Sequence, residues 1–88
     1  MYRIVVSKAA LKDFPNLTAA GLDKKVRALI NLLKENPYQT PPTYEKLIGD
    51  LEGLYSRRIN RKHRLVYQVL EDSQTVKILS AWSHYENL

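Results

Sequence analysis

Three side chains from distant parts of the chain could together break a phosphodiester: Glu45, Arg64 and His84. RNA carries its own nucleophile, the 2′-hydroxyl, so its cleavage can proceed without a metal. It needs a base for the hydroxyl proton, an acid for the 5′-leaving oxygen, and cations around the extra charge on the phosphorane. A carboxylate, an imidazole and a guanidinium fit those roles, each acid–base partner contributing ~10²–10⁴-fold. Residue type alone leaves a second reading for each. Glu45, one of nine acidic residues, also reads as surface decoration, and His84 as a structural or solvent-exposed ring. Tyr85 reads either as a packed aromatic or as a ring on which a base stacks.

The basic residues are less evenly spread. Arg57 through Arg64 place five permanent cations and His63 in eight consecutive positions, and no acidic residue occurs from Gly53 through Leu70. A charge run at a hairpin can simply keep an edge strand soluble. A solvated edge usually mixes signs, however, whereas a phosphate-binding face does not. The planar fork of arginine also suits pairs of phosphate oxygens.

These residues must be positioned by a small scaffold. Residues 2–6 are β-branched and aromatic enough for a strand, and Ser7 follows as an N-cap. Ala10, Leu11, Phe14 and Leu17 recur at helical spacing, with Pro15 predicting a kink or restart. Leu22, Val26, Leu29, Ile30 and Leu33 form the apolar stripe of a second helix, which Asn36-Pro37 ends. The Thr18-Ala19-Ala20-Gly21 stretch is the expected turn between them. Residues 37–43 carry three of the four prolines and predict an ordered or semi-rigid loop. Segment 44–53 is ambiguous between a helical turn and an irregular connection. Strands are expected over 54–59, 63–70 and 75–83, with turns at 60–62 and 71–74.

The resulting β-α-α-β-β-β order predicts an α+β domain, with both helices on one face of a mostly antiparallel sheet and the other face open. Strand alternation puts Leu65, Tyr67 and Val69 toward the helices and Arg64 on the open face. Arg58 shares a face with Leu54 and Ser56, while Arg57 shares the opposite one with Tyr55 and Ile59, so only one of the adjacent arginines serves the same site as Arg64.

The chain of 88 residues is read as one domain (1–88) of ordinary globular composition, 44% hydrophobic and 26% charged. It has no cysteine, which excludes disulfides and thiolate metal sites, and its two histidines argue against structural zinc. No run approaches the ~18 apolar residues of a membrane span, and the N-terminal apolar run is too short for a signal sequence. The expectation is a soluble, cytoplasmic protein. Its net charge of +5 favours a polyanionic partner, nucleic acid or acidic protein.

The run from Tyr55-Ser56-Arg57-Arg58-Ile59 through His63-Arg64-Leu65-Val66-Tyr67, closed by His84-Tyr85, resembles the Txe/YoeB toxins of bacterial toxin–antitoxin systems, a branch of the RelE superfamily. The resemblance is specific over Leu51 to Tyr85; over residues 1–44 it rests on element order and the second helix. It implies a RelE-like fold and ribosome-dependent cleavage of mRNA in the decoding site, with no cofactor and no metal. It also implies an acidic antitoxin of the YefM/Phd kind, a bacterial cytoplasmic setting and a homodimer.

Residue by residue, the resemblance makes Glu45 the general base, Arg64 the holder of the scissile phosphate, His84 the general acid and Tyr85 the tyrosine that helps place the RNA. Lys46, Arg58, Arg61, Lys62 and His63 are the basic residues expected to face RNA. The family often reads Lys-Pro-Glu-Pro-Leu-Lys around its glutamate, where this chain has Thr43-Tyr44-Glu45-Lys46-Leu47-Ile48. Both prolines are missing and the downstream lysine is Ile48, which leaves Lys46, two positions earlier, as the candidate replacement for that cation. Two alternatives share the scaffold: a non-catalytic toxin of the ParE branch, and a basic module that binds nucleic acid without cutting it.

Overall fold

A computed structural model describes residues 1–82; the expectations for His84 and Tyr85 lie outside the described residues. Strand β1 (Arg3–Val6) leads into helix α1 (Lys8–Ala19), helix α2 (Asp23–Glu35), strand β2 (Tyr44–Lys46), a 3-10 turn (Gly49–Leu51) and strands β3 (Leu54–Arg58), β4 (Arg64–Leu70) and β5 (Thr75–Ser80). The five strands form one sheet in the order β1-β5-β4-β3-β2, parallel between β1 and β5 and antiparallel elsewhere. The α+β, mostly antiparallel RelE-like architecture is therefore present.

Local chemistry explains the boundaries. The Ser7 hydroxyl accepts the Ala10 N–H at 3.1 Å, capping α1, and donates to the Leu79 carbonyl at 3.2 Å, tying the cap to β5. The turn after α1 reaches Gly21, whose φ of 74° lies in the left-handed region that glycine occupies without a Cβ clash. Asn36 caps α2 with extended backbone ahead of Pro37.

Two expectations are corrected. Helix α1 runs through Pro15 rather than restarting there. Leu11 and Pro15 share an exposed side of the helix, where solvent can serve the Leu11 carbonyl that loses its amide partner. The ambiguous stretch 44–53 contains an added edge strand, β2, before its 3-10 turn. Three residues are too few to show an alternating apolar pattern, and pairing with β3 defines this strand.

The core lies between the helices and one face of the sheet. Leu17, Val26, Leu33, Leu65, Tyr67, Val76 and Ile78 are buried together there. Burial of each large aliphatic side chain stabilises the fold by roughly 1.5–3 kcal/mol relative to exposure. The β4–β5 ladder is irregular at one point: Val66 pairs with Ser80 but Tyr67 with Ile78, leaving Leu79 as the extra residue of a bulge.

Candidate active site

Strand register brings the candidate residues together. Glu45 on β2 faces Ser56 on β3, Ser56 faces Val66 on β4, and Arg58 faces Arg64. Side chains at these positions emerge on the sheet face away from the helices. Glu45, Ser56, Arg58 and Arg64, with Pro42 and Thr43, line a cavity of about 390 Å³. Inside it an Arg64 Nη1 lies 3.6 Å from Glu45 Oε1. That is longer than the ~2.7–2.9 Å of a tight charge-assisted hydrogen bond, so the pair is loose. The arginine side chain is 12% exposed and the glutamate side chain 52%. The carboxylate is thus open to solvent while the cation is largely fixed within the wall.

The arrangement combines an accessible proton acceptor, two guanidinium groups on adjacent strands, and a hydroxyl. Ser56 is only 1% exposed, and its Oγ has no hydrogen-bond partner among the described residues. This combination can hold an oxyanion while removing a proton from a neighbouring hydroxyl.

The other predicted residues are placed differently. Lys46 is exposed on β2 but opposite Tyr55, on the reverse parity from Glu45. Arg61 and Lys62 are exposed in the β3–β4 turn, which Asn60 shapes by accepting the Lys62 and His63 amides at 2.9 and 2.7 Å. None of the three lines the cavity.

His63 departs from expectation. It is 7% exposed, stacks on Trp82 with ring centroids 3.8 Å apart, and donates from Nδ1 to the Trp82 carbonyl. The ring thereby anchors Trp82 at the end of β5. Its partner is nineteen residues away in sequence, and no local pattern signals such a contact. The same end of β5 is held by the Asp13 carboxylate, which accepts the Ala81 N–H at 3.0 Å.

Arg57 occupies the helix-side face, as strand parity predicts. Only 1% exposed, it donates from Nε to the Tyr67 hydroxyl at 3.0 Å and from Nη1 to the Pro42 carbonyl at 2.6 Å. Its Nη2 donates to the Pro37 and Gln39 carbonyls at 2.9 and 2.8 Å. The Tyr67 hydroxyl in turn donates to the Pro37 carbonyl at 2.9 Å. Burial pushes the Tyr67 phenol above its ordinary pKa, although Arg57 pulls the other way. Tyr44 lies over the guanidinium, 4.9 Å from its ring centroid. The sequence signal for this web is a loop rich in proline, and therefore short of its own amide donors.

Residues 7–85 match the sequence profile of the family described as YoeB-like toxin of bacterial type II toxin–antitoxin system. Toxin YoeB of Escherichia coli K12 is 42% identical over 50 residues, a match spanning 57% of this chain and 60% of that protein. A YoeB–YefM complex from Staphylococcus aureus contains a chain 34% identical, with a TM-score of 0.79 and coverage of 97% of this chain and 99% of that one. A YoeB dimer from the same species is 35% identical, with a TM-score of 0.77 and coverage of 96% and 98%. Among the described residues no helix is long and apolar enough to cross a membrane. The chain belongs to the YoeB-like toxin family of bacterial type II toxin–antitoxin systems.

Proposed function

We propose that this toxin is an mRNA endoribonuclease that acts on translating ribosomes and thereby inhibits translation. The observation that carries the proposal is the loose Glu45–Arg64 pair in a cavity that Arg58 also lines. Glu45 takes the proton of the 2′-hydroxyl, and that oxygen attacks phosphorus. Arg64 and Arg58 hold the non-bridging oxygens as charge builds. His84 gives its proton to the 5′-oxygen as the bond to phosphorus breaks, and Tyr85 helps place the RNA. The products are a 2′,3′-cyclic phosphate, or the 3′-phosphate formed by its hydrolysis, and a 5′-hydroxyl. No cofactor enters these steps.

The open cavity does not by itself enforce in-line geometry. The decoding site supplies that alignment, a contribution worth ~7–11 kcal/mol when fully realised. Arg61, Lys62 and Lys46, all exposed, add attraction to the surrounding RNA. A YefM-like acidic antitoxin silences the toxin in the bacterial cytoplasm, and the toxin forms a homodimer. The Staphylococcus aureus relatives, one a YoeB–YefM complex and one a YoeB dimer, support both partners.

The test is primer extension on a message undergoing translation, with wild type, Glu45→Gln, Arg64→Ala and His84→Gln. Wild type is expected to cut within the translated region and each variant to lose cutting while remaining folded. Full activity in His84→Gln would remove the acid–base scheme. Activation of a DNA damage response without translation arrest would favour a ParE-like action instead.

A further inference from the structure

We propose that Arg57 is a positioning residue: its buried guanidinium anchors the proline-rich loop and thereby sets Glu45 against Arg64. The kinetic consequence rests on the nuclease proposal above; the anchoring itself does not.

Residues 37–42 read Pro-Tyr-Gln-Thr-Pro-Pro, and half of them lack a backbone N–H. Such a loop is short of donors for its own carbonyls, and the Tyr38 and Gln39 amides are spent on Asn36, yet buried carbonyls require donors. One guanidinium serves carbonyls at both ends of it, Pro37 and Gln39 through Nη2 and Pro42 through Nη1. Its Nε donates to Tyr67, whose hydroxyl returns to Pro37. The loop is thereby fixed to the centre of the sheet.

The loop matters because it leads directly into the strand that carries Glu45. Pro42 and Thr43 are walls of the candidate cavity, and Glu45 comes two residues after Thr43. Strand β2 is three residues long, lies at the sheet edge and pairs only with β3. So short an edge strand has little pairing with which to define its own position, and the incoming loop supplies the remainder. Tyr44, the residue before Glu45, is both opposite Arg57 in the register and stacked over its guanidinium. Anchor and carboxylate therefore occupy opposite faces of one small ladder.

Packing alone does not account for an arginine here. No carboxylate pairs with this cation among the described residues, and a buried charge carries a large desolvation penalty that apolar residues of similar volume avoid. The planar fork is what the site uses. It reaches three carbonyls and a phenol in fixed directions, which the point charge of lysine cannot reproduce.

The experiment compares Arg57→Lys and Arg57→Met with wild type, with Glu45→Gln, and with Leu17→Ala, a core truncation on α1. It measures kcat and KM on ribosome-bound message, and amide hydrogen exchange along the chain. Arg57→Lys is expected to fold and to lose ~10²-fold in kcat, the scale of a 1 Å misplacement, with KM little changed. Exchange should quicken across residues 37–47, including the Leu47 amide now bonded to the Leu54 carbonyl, while β4 and β5 stay protected. Leu17→Ala should lose stability but keep kcat, and Glu45→Gln should lose cutting with wild-type exchange.

Wild-type kcat together with wild-type exchange in Arg57→Lys overturns the proposal, as does an equal kcat loss in Leu17→Ala. If neither Arg57 variant folds, Tyr67→Phe takes their place. Faster exchange over 37–47 with a smaller kcat loss then supports the anchor, and no change in either overturns it. A wild type that cuts nothing removes the nuclease activity alone. The exchange pattern of Arg57→Lys still decides the anchor, upheld by quickening confined to 37–47 and refuted without it.

Discussion

Arg57 and Arg58 are adjacent in sequence and opposite in circumstance. Arg57 points to the helix side, with three carbonyls and a phenol as acceptors and an aromatic ring over it. Arg58 is exposed on the other face, where it lines the cavity with Glu45 and Arg64. Within one basic run, the partners of each guanidinium decide its role. A cation whose donors are spent on backbone carbonyls is architecture, whereas one facing a cavity beside a loosely held carboxylate is available to a ligand. One-residue parity on a strand separates the two.

The contrast can be broken from either side. The largest expected effect is on chemistry: Glu45→Gln should reduce cleavage on ribosomes by ~10²–10⁴-fold, with a thermal midpoint close to wild type because the carboxylate is exposed and its ion pair loose. Single-turnover cleavage and a melting curve check both halves. Next is stability. Arg57→Met orphans buried carbonyls and should cost about 1–3 kcal/mol in denaturant unfolding, against under about 0.5 kcal/mol for Arg58→Met. Equal costs for the two would erase the distinction between the faces.

A smaller effect should appear in RNA binding. Arg58→Ala should weaken affinity for a non-cleavable RNA and lower the slope of log K against log salt by roughly 0.7 for each single-strand phosphate that it no longer neutralises. Arg61→Ala should lower it similarly without altering kcat. The smallest concerns pH. Burial raises the Tyr67 phenol above its ordinary value, so the folded state retains this proton more strongly than the unfolded chain. The corresponding stability is fully present below about pH 10 and is lost as pH rises through the folded pKa. Tyr67→Phe should flatten that alkaline limb in unfolding experiments at increasing pH.

Much of this architecture is legible in the residues alone. Alternation along 54–59 and 63–70 assigns Arg58 and Arg64 to one face and Arg57 to the other, and the stripe from Leu22 to Leu33 defines α2. The features that are not legible depend on contacts remote in sequence. Strand β2 exists through its register with β3, so Tyr44-Glu45-Lys46 in isolation carries no strand pattern. Pro15 breaks a helix by rule, but here it and Leu11, whose carbonyl it orphans, lie on an exposed side of α1. His63 reads as one more basic residue in a run, and only the return of β5 supplies the Trp82 ring that encloses it. The carbonyl acceptors of Arg57 come from a loop fifteen to twenty residues upstream, where sequence shows the shortage of amide donors without showing which residue relieves it.

The central claim is that Glu45 and Arg64 work on one phosphodiester. The most direct measurement is the end chemistry of a message cut during translation, for wild type and Glu45→Gln side by side. Wild-type fragments should end in a 2′,3′-cyclic phosphate or 3′-phosphate with a 5′-hydroxyl on the partner fragment, and the variant should yield almost no fragments. Fragments ending in a 3′-hydroxyl with a 5′-phosphate, or equal cutting by Glu45→Gln, would contradict it.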